Sequence, residues 1–193
     1  MNDLGDVLLT GYRIVPILAG GAASSGGAAV TVPATTLPGT YRVIACADAG
    51  VLVKESNEAN NCAVSVTAVV VGWPDLVASA VSDPPASALV GTAFGVTDTV
   101  QNAGAVNSAV SVVRYYLSLD AVKDAGDVLL TGYRIVPLLA AGAVSSGGAT
   151  VRVPAATLPG MYRVFACADG GSIVKESKEA NNCTASATMV AVR

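Results

Sequence analysis

The sequence predicts an all-β protein made of antiparallel β-sandwiches, and three observations support that class. Hydrophobic residues make up 52% of the chain and charged residues 13%, which is enough apolar material to bury a core. Valine and threonine, which favour pleated strands, are frequent, and glycine, proline, asparagine and aspartate separate the apolar runs as turn residues do. No segment combines helical periodicity with helix caps, so helix-rich and βαβ folds find no support.

Short candidate strands follow one another through the later part of the chain. Asn102-Ala103-Gly104 is a turn signal, and an acidic loop follows Leu119. Ser145-Ser146-Gly147-Gly148 is interpreted as another turn, because it leads into β-type sequence rather than a helix N-terminus. About seven short strands of this kind predict an antiparallel sandwich. The candidate strands cover residues 98–101, 110–119, 128–136, 149–153, 162–168, 173–176 and 184–192.

The chain contains much of its sequence twice. Residues 5–16 read GDVLLTGYRIVP, and residues 126–137 read the same. The register never slips, and about two thirds to three quarters of the aligned positions are identical, which marks tandem units. The period of about 120 residues fits one whole domain per unit rather than a solenoid repeat.

The repeat lacks the start of its first copy. Residues 122–193 match residues 1–72, whereas residues 73–121 have no earlier copy. We therefore expect a complete sandwich over residues 73–193 and only the later part of one over residues 1–72. The missing part should hold three strands. Without them the apolar strand faces of the first unit would be exposed, and such a half-sandwich should be unstable in water.

A cysteine pair also occurs twice. In each copy an acidic stretch, KESNEANNC or KESKEANNC, ends at the second cysteine. If the two cysteine segments of a unit are adjacent antiparallel strands, Cys46 meets Cys62 and Cys167 meets Cys183. Paired cysteines suit an oxidising compartment. Zinc is the alternative, but zinc usually takes C-x-x-C spacing or histidine, and the chain has no histidine.

The polar residues between the cysteines are expected to be structural. The asparagine pairs at 60–61 and 181–182 are interpreted as turn residues. The acids are interpreted as a solvated edge that discourages edge-to-edge strand pairing. These acids are Glu55, Glu58, Glu176 and Glu179.

A set of motifs in this order resembles the CARDB domain, the cell-adhesion-related domain found in bacteria. The motifs are WPDLV from Trp73, VQNAG from Val100, YYLSLD from Tyr115, Val153-Pro154, and CAD followed by KESKEANNC. The resemblance covers residues 74–193 and, through the repeat, residues 1–71. It implies immunoglobulin-like β-sandwiches, usually in tandem, in large surface or secreted proteins, and it does not imply a catalytic site. The absent first half of unit one departs from the family pattern.

Two further sites are candidates. Asp120, Asp124 and Asp127 lie in one loop, and three carboxylates with backbone carbonyls can hold calcium, although the spacing is not that of an EF-hand. The alternative is a polar hairpin loop. Asn182-Cys183-Thr184 matches a glycosylation sequon, so Asn182 is a candidate glycan acceptor.

Catalysis finds little support. Without histidine there is no Ser-His-Asp or Cys-His arrangement, and there is no P-loop or dinucleotide fingerprint. We expect no enzyme and no cofactor other than calcium. A net charge of −3 without a basic patch does not suggest nucleic acid, and no apolar run spans a bilayer.

The predicted function is structural or adhesive. We expect a repeat of an extracellular bacterial surface protein or fibre whose neighbouring units assemble head to tail. The strands missing from the first unit would come from outside this sequence, and so would any export signal, since residues 2–5 do not resemble one. The alternative is a carbohydrate- or protein-binding module that uses the end loops of the sandwich. Four tyrosines are expected to pack rather than bind: Tyr12, Tyr41, Tyr133 and Tyr162.

Overall fold

Two structural units make up the part of the chain that the computed structural model describes, residues 5–193. Unit 1 ends at Val71, and unit 2 spans Gly72–Arg193. Nearly all regular structure in both units is β-strand, which confirms the predicted all-β class. The exception among the described residues is one 3-10 turn, Glu58–Asn60. No helix in residues 5–193 is long and apolar enough to cross a membrane.

Unit 1 consists of one strand pair and a largely irregular segment. Strands β1 (Gly39–Cys46) and β2 (Cys62–Val71) pair antiparallel, and Thr10 bridges to Thr31 ahead of them. None of the residues from 5 to 71 is buried. Unit 1 therefore has strands but no core of its own.

Unit 2 contains eight strands. They are β3 (Leu76–Val81), β4 (Ser87–Ala88), β5 (Ala93–Asn102), β6 (Ser111–Ser118), β7 (Val128–Val136), β8 (Val144–Arg152), β9 (Gly160–Cys167) and β10 (Cys183–Val192). Along the sheet their order is β3-β5-β8-β7-β6-β9-β10-β4. One layer holds β3, β5 and β8, and the other holds β7, β6, β9, β10 and β4. Strand β7 joins the two layers through a single pair, Thr131 with Arg152.

The core of unit 2 lies between these layers. Successive side chains of a strand point to opposite faces, and in β6 the alternate residues Val113, Tyr115 and Leu117 are fully buried. The other layer contributes Val96, Val100 and Val151, among others. The frequent valines that predicted strands therefore also fill the core.

Three details of the predicted strands are wrong. Residues 173–176 are loop, because the backbone N–H groups of Val174 and Glu176 donate to the side chains of Asp169 and Glu179 instead of to a neighbouring strand. Residues 145–148 form part of β8 rather than a turn. The two glycines of this stretch allow neighbouring atoms to approach closely. A Cβ on Gly147 would lie 2.8 Å from the Arg134 side chain, and a Cβ on Gly148 would lie 2.7 Å from the Val96 carbonyl oxygen. Finally, the segment with no earlier copy supplies four strands, β3 to β6, rather than three.

Candidate functional site

The loop between β9 and β10 holds the first strand of unit 2. The Glu176 carboxylate accepts a hydrogen bond from the backbone N–H of Leu76, where β3 begins. One residue further along the loop, the Ser177 N–H donates to the carbonyl of Pro74 over 2.9 Å. We call residues 169–182 the clasp loop, because they fix β3 to the rest of the unit.

The asparagines of the clasp loop complete this contact. The Asn181 side-chain amide donates to the Asp75 carboxylate over 3.0 Å. The backbone carbonyl of Asn182 accepts a hydrogen bond from the Ala78 N–H over 3.3 Å. The Asn182 side chain donates to the Glu176 carboxylate over 3.0 Å. Beside them the Lys175 ammonium lies 4.2 Å from the centre of the Trp73 ring. The asparagines therefore bind the first strand rather than only turning the chain.

Glu176 corrects the expectation that the acids of this loop are solvated. Its side chain is buried, and burial raises its pKa from 4.5 to about 7, with the nearby charges of Glu179 and Asp169 adding to the rise. The hydrogen bonds from Leu76 and Asn182 oppose the shift. Glu55, Glu58 and Glu179 are exposed, as expected.

Unit 1 contains the same loop without a first strand. The Glu55 N–H donates to the Glu58 carboxylate over 2.9 Å, as the Glu176 N–H donates to Glu179 over 3.0 Å. The Asp48 carboxylate likewise accepts backbone N–H groups four and five residues ahead. The loop of unit 1 therefore keeps these two hydrogen-bonding patterns, but Asn61, the counterpart of Asn182, donates to Glu58 over 3.5 Å rather than to Glu55.

A buried ionic cluster joins the two layers of unit 2. The Arg134 guanidinium on β7 donates to the Asp98 carboxylate on β5, with Nε 2.9 Å from Oδ2. The Tyr115 hydroxyl donates to the same carboxylate over 2.6 Å. Burial and the Asp98 charge raise the pKa of Tyr115, and the hydrogen bond to Asp98 raises the pKa of Arg134. The sequence did not predict this cluster, although Asp98 alternates with the buried Val96 and Val100.

Arg13 occupies the corresponding position in unit 1. It donates to the Ser24 hydroxyl over 2.9 Å and to the Ser24 carbonyl over 3.1 Å, as Arg134 does to Ser145. The segment that supplies Asp98 and Tyr115 in unit 2 has no copy in unit 1. The described part of unit 1 therefore contains the arginine and its serine partner, but not counterparts of Asp98 and Tyr115.

Both predicted cysteine pairs form disulfides. Cys46 binds Cys62 across β1 and β2, and Cys167 binds Cys183 across β9 and β10. All four cysteines are consumed in this way. The zinc alternative is excluded for these residues.

The three loop aspartates serve mainly as turn caps. The Asp120 carboxylate accepts the Val122 N–H, Asp124 accepts the Gly126 N–H, and Asp127 accepts the Asp124 N–H. Lys123 also pairs with Asp127 at 3.4 Å. Within residues 5–193 no group of three or more acidic, cysteine or histidine side chains has an arrangement suited to a metal ion. Calcium binding stays a prediction that this geometry does not favour.

Asn182 is poorly placed to carry a glycan. Its side chain is 8% exposed, and its amide nitrogen, the atom a glycan would modify, donates to Glu176 and to the carbonyl of Ala168. A glycan there would have to displace the clasp loop. The folded unit therefore argues against the sequon.

The expectation that the four tyrosines pack is wrong for two of them, since Tyr12 is 84% exposed and Tyr133 is 61% exposed. Tyr162 is buried against the core, but Tyr133 is 61% exposed on the outer face of β7, next to the exposed Ile135 in alternating register. Tyr133 faces outward because successive side chains of a strand alternate, and its neighbour Arg134 is the buried one. These side chains form an apolar row on unit 2.

Comparison with known proteins gives a consistent family assignment. The model of the CARDB family matches residues 73–186, more than half of the chain. No curated protein matches the sequence significantly.

Two solved structures are similar to part of this chain. The CARDB domain of a Pyrococcus furiosus protein, solved in complex with di-metal ions, is 24% identical, with a TM-score of 0.40 over 63% of this chain and 90% of that one. A domain of a putative cell surface protein from Methanosarcina acetivorans is 19% identical, with a TM-score of 0.42 over 63% of this chain and 93% of that one.

Proposed function

This chain belongs to the CARDB family, and we propose that it is a non-enzymatic structural repeat of an extracellular bacterial surface protein or fibre whose neighbouring units assemble head to tail. CARDB is a cell-adhesion-related family of non-catalytic domains, which supports a surface or structural role. The proposal of head-to-tail assembly rests on one observation. A complete unit is joined to a unit of nearly the same sequence that has strands but no buried residue among residues 5–71.

The covalent framework supports an extracellular location. Each unit carries one disulfide at the same place, and no cysteine is left free. Disulfides persist in oxidising compartments and are rare in the cytosol. A repeat that must survive outside the cell gains from such a crosslink in every unit.

The incomplete core supports assembly. Apolar side chains of unit 1 that match core residues of unit 2 remain exposed, and large exposed apolar surfaces mark sites of association. Contacts between successive units that do not close on themselves generate a filament. The partners would be further repeats of the same protein or neighbouring copies of it, with no nucleic acid involved.

Protease treatment of intact cells, combined with intact-mass measurement of the non-reduced native protein, tests the proposal. We expect the protein to be cleaved from intact cells and its thiols to react only after reduction. Sedimentation of the purified protein should show species that grow with concentration. A reduced protein confined to the cytosol, or a monomer at every concentration, would contradict the proposal.

A second candidate is a module that binds a protein or a carbohydrate. The exposed row of Tyr133 and Ile135 on β7 favours it, because aromatic side chains are enriched at recognition sites. This surface lies on a strand rather than on the end loops. Glycan-array binding that is lost in Tyr133→Ala, with unit 2 still folded, would favour this candidate over the structural one.

A further inference from the structure

The outer face of strands β6 and β7 in unit 2 carries apolar side chains around one arginine. Tyr133 and Ile135 of β7 point away from the core, and each is 61% exposed. Across the strand pair Ile135 lies opposite Val112, and Tyr133 lies opposite Arg114. Residues that lie opposite each other in an antiparallel pair are close enough for their side chains to interact. These four residues therefore form one surface, which we call the β6–β7 face.

Arg114 has no acidic partner within this face. Its side chain is exposed, and among residues 5–193 no acceptor lies within hydrogen-bonding or ion-pairing distance of its guanidinium. Two other arginines of the same sheet, Arg134 and Arg163, do donate to oxygen atoms of unit 2. The base of the Arg114 side chain is held by the clasp loop, since a Cβ on Gly170 would lie 2.6 Å from the Arg114 Cβ. The face thus presents a positioned cation beside apolar groups.

The loop at the far end of the same hairpin has the complementary chemistry. It connects β6 to β7 through residues 119–127, in which three acids and one lysine give a net charge of −2. Asp120 and Asp124 are exposed there. Beside them Leu119 and Val122 are 68% and 63% exposed. We call residues 119–127 the hairpin tip, and it is both acidic and apolar.

The carboxylates of the hairpin tip are fixed in position and still able to accept a partner. Oδ1 of Asp120 accepts the Val122 N–H over 2.8 Å, and Oδ1 of Asp124 accepts the Gly126 N–H over 2.7 Å. The Oδ2 atoms of both side chains make no hydrogen bond with any residue that the structure describes. Groups that are already held in place lose less entropy when they bind.

Resting on the head-to-tail assembly proposed above, we propose that the β6–β7 face of one chain binds the hairpin tip of a second copy, with Arg114 paired to the carboxylates of Asp120 and Asp124. The two surfaces lie at opposite ends of one hairpin. Val112 and Ser118 are about 20 Å apart along β6, at about 3.4 Å per residue. The contact therefore joins two different surfaces, which is the heterologous kind that head-to-tail assembly requires.

Charge decides between this contact and a symmetric one. Two copies that met through their β6–β7 faces would bring two Arg114 side chains together, and neither face contains an acid. Like charges that face each other across an interface oppose binding. The hairpin tip instead offers carboxylates to Arg114 and aliphatic side chains to Tyr133 and Ile135. Arginine and tyrosine are also the residue types that often contribute most to binding at protein interfaces.

Sedimentation velocity of the 193-residue chain over a concentration series tests the contact. Arg114→Glu should weaken self-association by roughly tenfold or more, because the reversed charge then faces the acids of the tip. Lys178→Glu makes the same change of charge on the clasp loop, outside both surfaces, and should leave association unchanged. Hydrogen exchange in β9 and β10 shows whether each variant is folded.

A mixture of two variants separates a lost contact from a damaged fold. The second variant carries Asp120→Lys and Asp124→Lys, and on its own it should associate as weakly as Arg114→Glu does. Mixing the two should restore association to within a few-fold of the unchanged chain, because the intact tip of one variant can bind the intact face of the other. A mixture that associates no better than either variant alone would overturn the proposal.

The same series separates this proposal from the proposed function. Association that is as strong in Arg114→Glu as in the unchanged chain would overturn the proposed contact and leave head-to-tail assembly through another surface. An unchanged chain that stays monomeric at every concentration would contradict both.

Discussion

Glu176 accepts a hydrogen bond from the backbone N–H of Leu76, across 100 residues of sequence. The acidic stretch that ends at Cys183 is thus more than a turn. It binds β3, the first strand of unit 2, to the loop that connects β9 and β10. The same stretch recurs in unit 1, where Glu55 is the counterpart of Glu176.

The buried Glu176 should make unit 2 less stable as the pH rises. Its pKa in the folded protein is about 7 against 4.5 in the unfolded chain. Between these values the folded state holds a proton that the unfolded state gives up, so the free energy of unfolding falls with rising pH. The slope is at most about 1.4 kcal/mol per pH unit. Urea titrations followed by fluorescence of Trp73, the one tryptophan, measure it.

Glu176→Gln should flatten this slope, since the amide cannot take up the proton but can still accept the Leu76 N–H. The exposed neighbour Lys178 provides the control, and Lys178→Gln should retain the slope. A slope that persists in Glu176→Gln would show that another group is responsible.

The Asp98–Arg134 pair should be a main determinant of unit 2 stability. Arg134→Met leaves the Asp98 carboxylate buried without its partner, and breaking such a pair costs about 3–5 kcal/mol. Ser145→Ala removes a contact to the same guanidinium but keeps the ion pair, and it should cost about 1 kcal/mol or less. Urea midpoints of the two variants that coincide would contradict this ranking.

The sequence predicts the fold better than it predicts the polar contacts. Alternating valines and repeated turn residues are local signals, and they identify β6, β7, β9 and β10 nearly to their ends. The contact of Glu176 with Leu76 depends on a distant segment, so nothing in the acidic loop itself distinguishes a buried acid from a solvated one. The burial of Asp98 could have been predicted, because it alternates with Val96 and Val100 and therefore lies on the inner face of β5.

The two disulfides should differ in their resistance to reduction. In unit 2 Cys167 is buried beside the core and only Cys183 is partly exposed, whereas both Cys46 and Cys62 are partly exposed in a unit without buried residues. Because access governs thiol–disulfide exchange, Cys46–Cys62 should be reduced at lower dithiothreitol concentration than Cys167–Cys183. Alkylation with mass mapping over a reductant series measures the order. The reverse order would indicate that unit 1 is covered in the purified protein.

Substitution of Gly132 should destabilise unit 2, because the backbone of β7 at this position lies against the backbone of β8. Its φ is +111°, and a Cβ there would collide with the carbonyl oxygen of Thr150. Gly132→Ala should therefore destabilise unit 2 by about 2 kcal/mol or more. Gly142 also has a positive φ, +76°, but open space around it, so Gly142→Ala should cost only about 1 kcal/mol. If Gly132→Ala and Gly142→Ala lowered the stability measured by thermal unfolding equally, backbone strain alone would explain the effect and the collision with Thr150 would not contribute.

The two copies of one strand provide an internal test of the open core. Val43 and Val164 share the local sequence Tyr-Arg-Val, so their amides have closely similar intrinsic exchange rates, but only Val164 lies in a core. Hydrogen exchange of the 193-residue chain should be slower in β9 than in β1 by roughly a hundredfold or more. Val164→Ala removes buried methyl groups and should cost about 2 kcal/mol, which accelerates exchange in β9 and β10. Val43→Ala has no core to disturb and should leave exchange in β1 and β2 unchanged. If Val43→Ala instead accelerated exchange as Val164→Ala does, the inner face of unit 1 would already be covered, and the asymmetry between the units would be lost.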